Sequence, residues 1–211
     1  MRRQDLYDRV VEYFQKAMPV VRTELQYQDP FELLVAVMLS AQCTDKRINQ
    51  VTPRLFEDYP NAESMSPATP DVIYEYIKSV SYPNSKAKHL VAMAQMLQKD
   101  FNGEVPHTME ELTKLPGVGR KTANVVMSVG FGAPAIAVDT HVFRVSNRLK
   151  LAVGDTPLAV EQGLMKAIPK DKWSAAHHWL IWHGRNVCKA RKSLCNACPL
   201  AGVCPSCEPL A

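Results

Sequence analysis

The sequence predicts an all-α protein. Apolar residues recur at helical spacing along nearly its whole length, and no alternating strand pattern runs beyond four residues. Nine glycines in 211 residues are also too few for a turn-rich β fold. Repeated N-cap residues, several followed directly by proline, mark where the helices open.

The elements follow in order. Leu6, Val10, Phe14 and Ala17 trace one face of a first helix that stops at Pro19. Asp29-Pro30 opens an apolar helix over 31–41, and Thr44 or Asp45 caps the next, to about residue 58. Thr69-Pro70 starts a helix reaching about residue 80. Asn84 or Ser85 starts a longer one reaching about residue 101, with Gly103 beyond its end. Thr108-Met-Glu-Glu111 reads as a capping box for a short helix that ends near Lys114. A glycine-rich turn and a helix over 120–131 come next. Asp139 and Thr140 begin another helix, Thr156-Pro157 repeats the cap-plus-proline signal, and a last helix covers 171–187. Trp173, His177, Leu180 and Gly184 share one of its sides.

Composition narrows the class of function. With 46% hydrophobic and 22% charged residues, the chain is too apolar for disorder and too charged for a membrane protein. Its longest uncharged stretch, 122–138, is interrupted by Asn124, Gly130, Gly132 and Pro134. Asp5 and Asp8 sit where a leader would be free of acids, so a cytoplasmic chain with no signal or transit peptide is expected. Residues 1–119 carry 13 Lys/Arg against 16 Asp/Glu, whereas 120–211 carry 12 against 5. A basic half favours a polyanionic partner.

Three features carry chemistry. Leu115-Pro-Gly-Val-Gly119 lies between two helices, where Gly117 and Gly119 allow positive φ and close backbone approach. With Val118 packed inward and the next helix offering its N–H groups, this is a helix–hairpin–helix grip on phosphate. Lys121 follows, with Arg120 beside it and a helix N-terminus beneath, placed to act as an amine nucleophile. Asp139 is an N-cap whose carboxylate suits receiving a proton or facing a developing cation. Finally, five of six cysteines fall in the last 24 residues, which suggests a metal. Four thiolates on so short a loop can enclose an iron–sulfur cubane, while Cys195-x2-Cys198-x5-Cys204-x2-Cys207 could hold zinc.

LSAQCTD (39–45), NGEVP (102–106), LPGVGRKTANVV (115–126), IAVDTHVFRV (136–145), HHWLIWHGR (177–185) and the closing cysteines together resemble the endonuclease III family. That family comprises DNA glycosylases with an associated abasic-site lyase. The resemblance implies two helical lobes, residues 22–132 with the hairpin at about 109–131, and 1–21 plus 133–211 with a cluster loop at 188–204. It implies a [4Fe–4S] cluster on Cys188, Cys195, Cys198 and Cys204. Lys121 would attack C1′ of a flipped damaged nucleotide and Asp139 would assist. The partner would be duplex DNA containing oxidised pyrimidines or abasic sites, met by a monomer near the nucleoid, with no membrane involved. Gln42 would fill the gap left by the flipped nucleotide and Asp45 would line the base pocket. Gly117, Val118, Gly119 and Arg120 would hold phosphate. So would Arg185, Arg191 and Lys192 around the cysteine loop.

Other members of the wider group excise adenine with a glutamate where this chain has Ala36, so Lys121 and Ala36 together point to a bifunctional enzyme. The alternatives are a monofunctional glycosylase and a non-catalytic hairpin DNA-binding module. Two places depart from the family pattern. Cys43 follows Gln42, and Ser81-Tyr82-Pro83 replaces a glycine, a large apolar residue and an aromatic. Tyr82 would still stack on the opposite base, with altered opposite-base preference. His177, His178 and His183 read as core histidines, and Leu90, Met93, Leu97 and Phe101 as a buried helix face.

Overall fold

The computed structural model describes residues 3–20 and 22–207, and among them every regular element is helical. The chain divides into two units, Met1–Arg22 with Pro134–Ala211, and Thr23–Ala133. Residues 1, 2, 21 and 208–211, at the ends of the expected lobes, lie outside the described residues.

The first unit opens with α1 (Arg3–Ala17) and resumes after the second is complete. The second unit is built on α2 (Pro30–Ser40), whose residues from Phe31 to Leu39 are all buried. A helix apolar on every side must be enclosed by others. α3 (Asp45–Asp58), α6 (Pro83–Asp100) and α8 (Arg120–Val125) pack on it, and α5 (Pro70–Ile77) packs on α6. The short helices α4 (Ala62–Met65) and α7 (Met109–Leu112) complete this unit. Leu33, Leu34, Leu39, Ile48, Leu55, Ile73, Leu90 and Met93 are wholly enclosed. Each such side chain contributes roughly 1.5–3 kcal/mol relative to exposure.

In the first unit, α9 (Thr140–Leu149), α10 (Pro157–Ala167) and α11 (Trp173–Asn186) close an apolar cluster with α1. Leu6, Val10 and Phe14 meet Val142, Val145, Leu164 and Leu180 in it. Phe14 stacks on Trp179 with ring centroids 5.8 Å apart, and Trp179 Nε1 donates to the Met18 carbonyl at 3.1 Å. α11 and α9 approach closely at Gly184, where a Cβ would stand 2.8 Å from His141 Cβ.

The caps at Asp29, Thr69, Asp139 and Thr156 form as the sequence predicts, each accepting a backbone N–H of the first turn. Other details differ. Ala17 is exposed, because the apolar face of α1 advances by four residues and continues from Phe14 to Met18. Thr44, not Asp45, caps α3: its hydroxyl accepts from Arg47 N–H at 3.3 Å. Neither Asn84 nor Ser85 caps α6. Pro83 takes the first helical position, where its missing N–H costs nothing, and Tyr82 precedes it with φ 56°. Thr108 caps α7 as expected, but Glu111 accepts the Thr108 hydroxyl at 2.7 Å, and the helix stops at Leu112. The helix over 120–131 is α-helical only to Val125 and widens into a π turn over Val126–Gly130. α4, capped reciprocally by Asn61 and Ser64, was too short for periodicity to reveal.

Candidate nucleic-acid interface and active site

The hairpin joins α7 to α8 through a turn whose apolar residues face inward. Leu112, Leu115 and Val118 are buried, and Val118 N–H donates to the Leu115 carbonyl at 3.0 Å. Gly117 has φ 79°, the left-handed region where a Cβ is strained, and a Cβ there would meet His89 Cβ at 2.8 Å. Gly119 corrects the expectation of a second positive φ. Its backbone is extended at φ −88°, and it caps α8 with no side-chain hydrogen bond. Arg120 and Lys121 are exposed on the first turn of α8.

Gln42 and Tyr82 both carry left-handed backbones, at φ 55° and 56°. Such non-glycine residues cost of order 1–3 kcal/mol and persist where surroundings over-determine them. Both side chains are exposed, Tyr82 by 65%. Together with Ser85, Lys86, His89 and Gly117 they line a cavity of about 200 Å³. The structure thus brings Gln42, Tyr82 and Gly117 around one opening. Asp45 is half-buried at the start of α3 and is not part of that lining.

Asp139 ends the buried run 135–138 and caps α9. Its Oδ1 accepts from His141 N–H at 2.8 Å and Val142 N–H at 2.7 Å. Among the described residues Oδ2 accepts no hydrogen bond, so one carboxylate oxygen is fixed while the other stays available.

The cysteine loop is fastened from α9. Arg148 Nη1 donates to Cys188 Sγ at 3.4 Å, to the Lys189 carbonyl at 2.7 Å and to Ser193 Oγ at 2.7 Å, and Nη2 donates to the Ala190 carbonyl at 3.1 Å. One turn earlier, Arg144 donates to the carbonyls of Cys188 and Gly184. Burial pushes the thiols of Cys195, Cys198 and Cys204 up, and neighbouring cysteines push the same way. Cys207 acts on Cys195 as well, through its charge and a side-chain hydrogen bond. Among the described residues no three His, Cys, Asp or Glu are gathered as ligands of one ion. In a cubane each thiolate binds its own iron, so the sulfurs stand farther apart than around a single metal. His183 sits behind Cys198, Nε2 3.7 Å from Sγ, and burial holds it neutral with its pKa down to about 4. His177 is buried and its Nδ1 lies 2.7 Å from the Ala137 carbonyl, a core histidine as expected. Arg185, Arg191 and Lys192 are exposed around this loop.

The profile of HhH-GPD superfamily base excision DNA repair proteins matches residues 35–170. Endonuclease III of Rickettsia felis is 49% identical over 200 residues, covering 94% of this chain and 93% of its own. Endonuclease III of Bacillus subtilis is 50% identical over 187 residues, covering 88% and 85%. The chain belongs to the endonuclease III family. A solved structure of a trapped endonuclease III–DNA covalent intermediate, an estranged-adenine complex, superposes with TM-score 0.92 at 46% identity. It covers 98% of this chain and 97% of its own.

Sequence reasoning missed the supporting hydrogen bonds of four side chains: Ser81 and Lys86 in the second unit, and Arg144 and Arg148 in the first. Arg144 and Arg148 stand four residues apart on α9 and so share a face, but nothing in their spacing reveals that they reach residues 184–193. Lys86 looks in sequence like any surface lysine. No helix among the described residues is long and apolar enough to cross a membrane.

Proposed function

We propose that this endonuclease III family member is a monomeric DNA glycosylase and abasic-site lyase of base excision repair, acting on oxidised pyrimidines in duplex DNA. The observation that carries this reading is the near full-length match to endonuclease III, including the one trapped covalently on DNA, by a chain with a lysine directly after its hairpin. A covalent intermediate requires a nucleophile, and an amine on a helix N-terminus beside a phosphate grip is suitably placed.

In this mechanism the hairpin amides of residues 117–120 hold the backbone, Gln42 fills the gap left by the extruded nucleotide, Tyr82 stacks on the opposite base, and Asp45 lines the base pocket. The Lys121 Nζ lone pair forms a bond to C1′ as the C1′–base bond breaks, and the base leaves with the electron pair. Ring opening gives a Schiff base between Lys121 and the sugar. Loss of a proton from C2′ then breaks the C3′–O bond, cutting the strand 3′ to the lesion. Water hydrolyses the Schiff base and restores the lysine. Asp139 faces the cationic sugar through its available oxygen and manages the lysine proton.

Cys188, Cys195, Cys198 and Cys204 would hold a [4Fe–4S] cluster as thiolates, each giving up its proton on binding, and all four are half-buried on one short loop. The cluster supplies a rigid scaffold for residues 188–204, and Arg185, Arg191 and Lys192 present charge to phosphate from around it.

The test is borohydride trapping on abasic-site and oxidised-pyrimidine duplexes with wild type and Lys121→Ala. Lysine-dependent trapping is the expected result. Base release without trapping would mean a monofunctional glycosylase, and binding alone a non-catalytic module. Iron and sulfide in a coloured protein are expected; zinc in a colourless one would overturn the cluster assignment.

A further inference from the structure

The turns that carry Gln42 and Tyr82 are tied together by two side chains with no part in the chemistry above. Lys86, in the first turn of α6, is 9% exposed, and its ammonium donates to the carbonyls of Leu39 and Ala41, both at 2.7 Å. These are carbonyls at the C-terminal end of α2, where the helix itself offers no further N–H partners. Ser81 Oγ donates to the carbonyl of Gln42 itself, at 2.7 Å. Residues 81 and 86 bracket Tyr82 in the chain, and their three acceptors, the carbonyls of Leu39, Ala41 and Gln42, lead up to and include Gln42.

This arrangement explains how two exposed residues keep left-handed backbones. A charge-assisted bond from a buried ammonium is stronger than a neutral one, and a cation at the end of α2 is further favoured by the helix dipole. Methionine at this position would match the length of the lysine stem and leave both carbonyls without that donor. The cavity of about 200 Å³ lies at these turns, with Gln42, Tyr82 and Lys86 all in its lining.

We propose that Lys86 and Ser81 are positioning residues that lock Gln42 and Tyr82 into one rigid two-pronged probe, and so set how the enzyme reads the base opposite the lesion. This rests on the lyase reading above. Lys86 and Ser81 act through the two probing residues, not on the substrate.

An abasic site in single-stranded DNA has no opposite base and serves as the internal reference. Single-turnover cleavage and borohydride trapping are measured on that substrate, and on duplexes with each of the four bases opposite the abasic site. The proteins are wild type, Lys86→Met, Lys86→Arg and Ser81→Ala. The duplex-to-single-strand rate ratio falls at least tenfold in Lys86→Met and several-fold in Ser81→Ala. The spread among opposite bases narrows in both, and Lys86→Arg recovers part of the ratio. A purely structural defect would lower both rates together and leave the ratio in place. Should Lys86→Met fail to fold, Ser81→Ala, which removes one exposed hydrogen bond, decides the matter. Ratios within twofold of wild type in the folded variants overturn the inference while leaving the lyase reading intact. Absence of trapping by the wild type overturns both.

Discussion

Arg148 on α9 reaches Cys188 directly: its Nη1 lies 3.4 Å from Sγ, and the same guanidinium also binds the carbonyls of Lys189 and Ala190 and the hydroxyl of Ser193. One planar cation thus fixes both a proposed cluster ligand and the basic loop that follows it. Lysine cannot reproduce that fork. Arg148→Met should cost about 2–4 kcal/mol of stability, summed from hydrogen bonds to a charged group at about 1.5–3 kcal/mol each and partly regained from solvent. It should also lower iron and sulfide per chain and speed bleaching of the visible absorbance by a chelator. Arg148→Lys should fall between. Full iron content and wild-type bleaching in Arg148→Met would show that the cysteines order the loop unaided.

The two hairpin glycines should differ in how much alanine costs them. At Gly117 a Cβ is strained by φ 79° and collides with His89, whereas at Gly119 φ is ordinary and nothing lies within 4 Å. Gly117→Ala should lose about 1–3 kcal/mol, the cost of a strained backbone position. Its affinity for undamaged duplex should drop as the turn shifts. Gly119→Ala should change stability by under about 1 kcal/mol, as expected for losing only a weak capping preference. Denaturant midpoints and fluorescence anisotropy on labelled duplex measure both.

That contrast shows where sequence reasoning stopped. Both glycines looked alike in LPGVG, because composition reveals which residues permit a left-handed turn but not which of them makes it. Helix starts were legible at Asp29, Thr69 and Thr156, where a local side chain and a proline act on the adjacent backbone. The start at Pro83 was not, since Tyr82 is held by Ser81 and Lys86 bonding to residues some forty positions earlier. The same holds for Arg144 and Arg148. Long-range polar contacts leave no periodic trace, so the site's candidate reactive groups could be read while most of its supports could not.

Glu32 provides a stability test by pH. It is 6% exposed within α2, and burial is the main cause that raises its carboxyl above the ordinary 4.5. The Gln28 N–H, which it accepts at 2.7 Å, pulls the other way, and the negative charge of Asp29 adds to the rise. A carboxyl raised on folding holds its proton more tightly in the native state. Its contribution is therefore fully present below pH 4.5 and is lost as pH rises through the folded value. Glu32→Gln keeps an acceptor for Gln28 and removes the ionisation. The variant should be as stable as wild type or more so at about pH 8, and its urea midpoint should vary less between about pH 4.5 and that value. An equal pH slope in the two proteins would mean that Glu32 ionises without penalty.

Asp139 has one observed task and one proposed task that substitution can separate. Its Oδ1 caps α9 through two N–H groups, and its charge would serve the proposed reaction. An asparagine in its place would retain a cap oxygen and discard the charge. Asp139→Asn should therefore unfold within about 0.5 kcal/mol of wild type, since asparagine and aspartate cap almost equally well. Its excision rate should fall by at least about tenfold, a conservative figure for losing a charge aimed at a developing cation. Asp139→Ala should add a stability loss of about 0.5–2 kcal/mol, the usual cost of deleting an N-cap. Comparing urea midpoints with single-turnover base release across the pair assigns each loss to its cause. If Asp139→Asn excised at the wild-type rate, the carboxylate would be a cap alone, and the sugar cation would have to be stabilised by other groups.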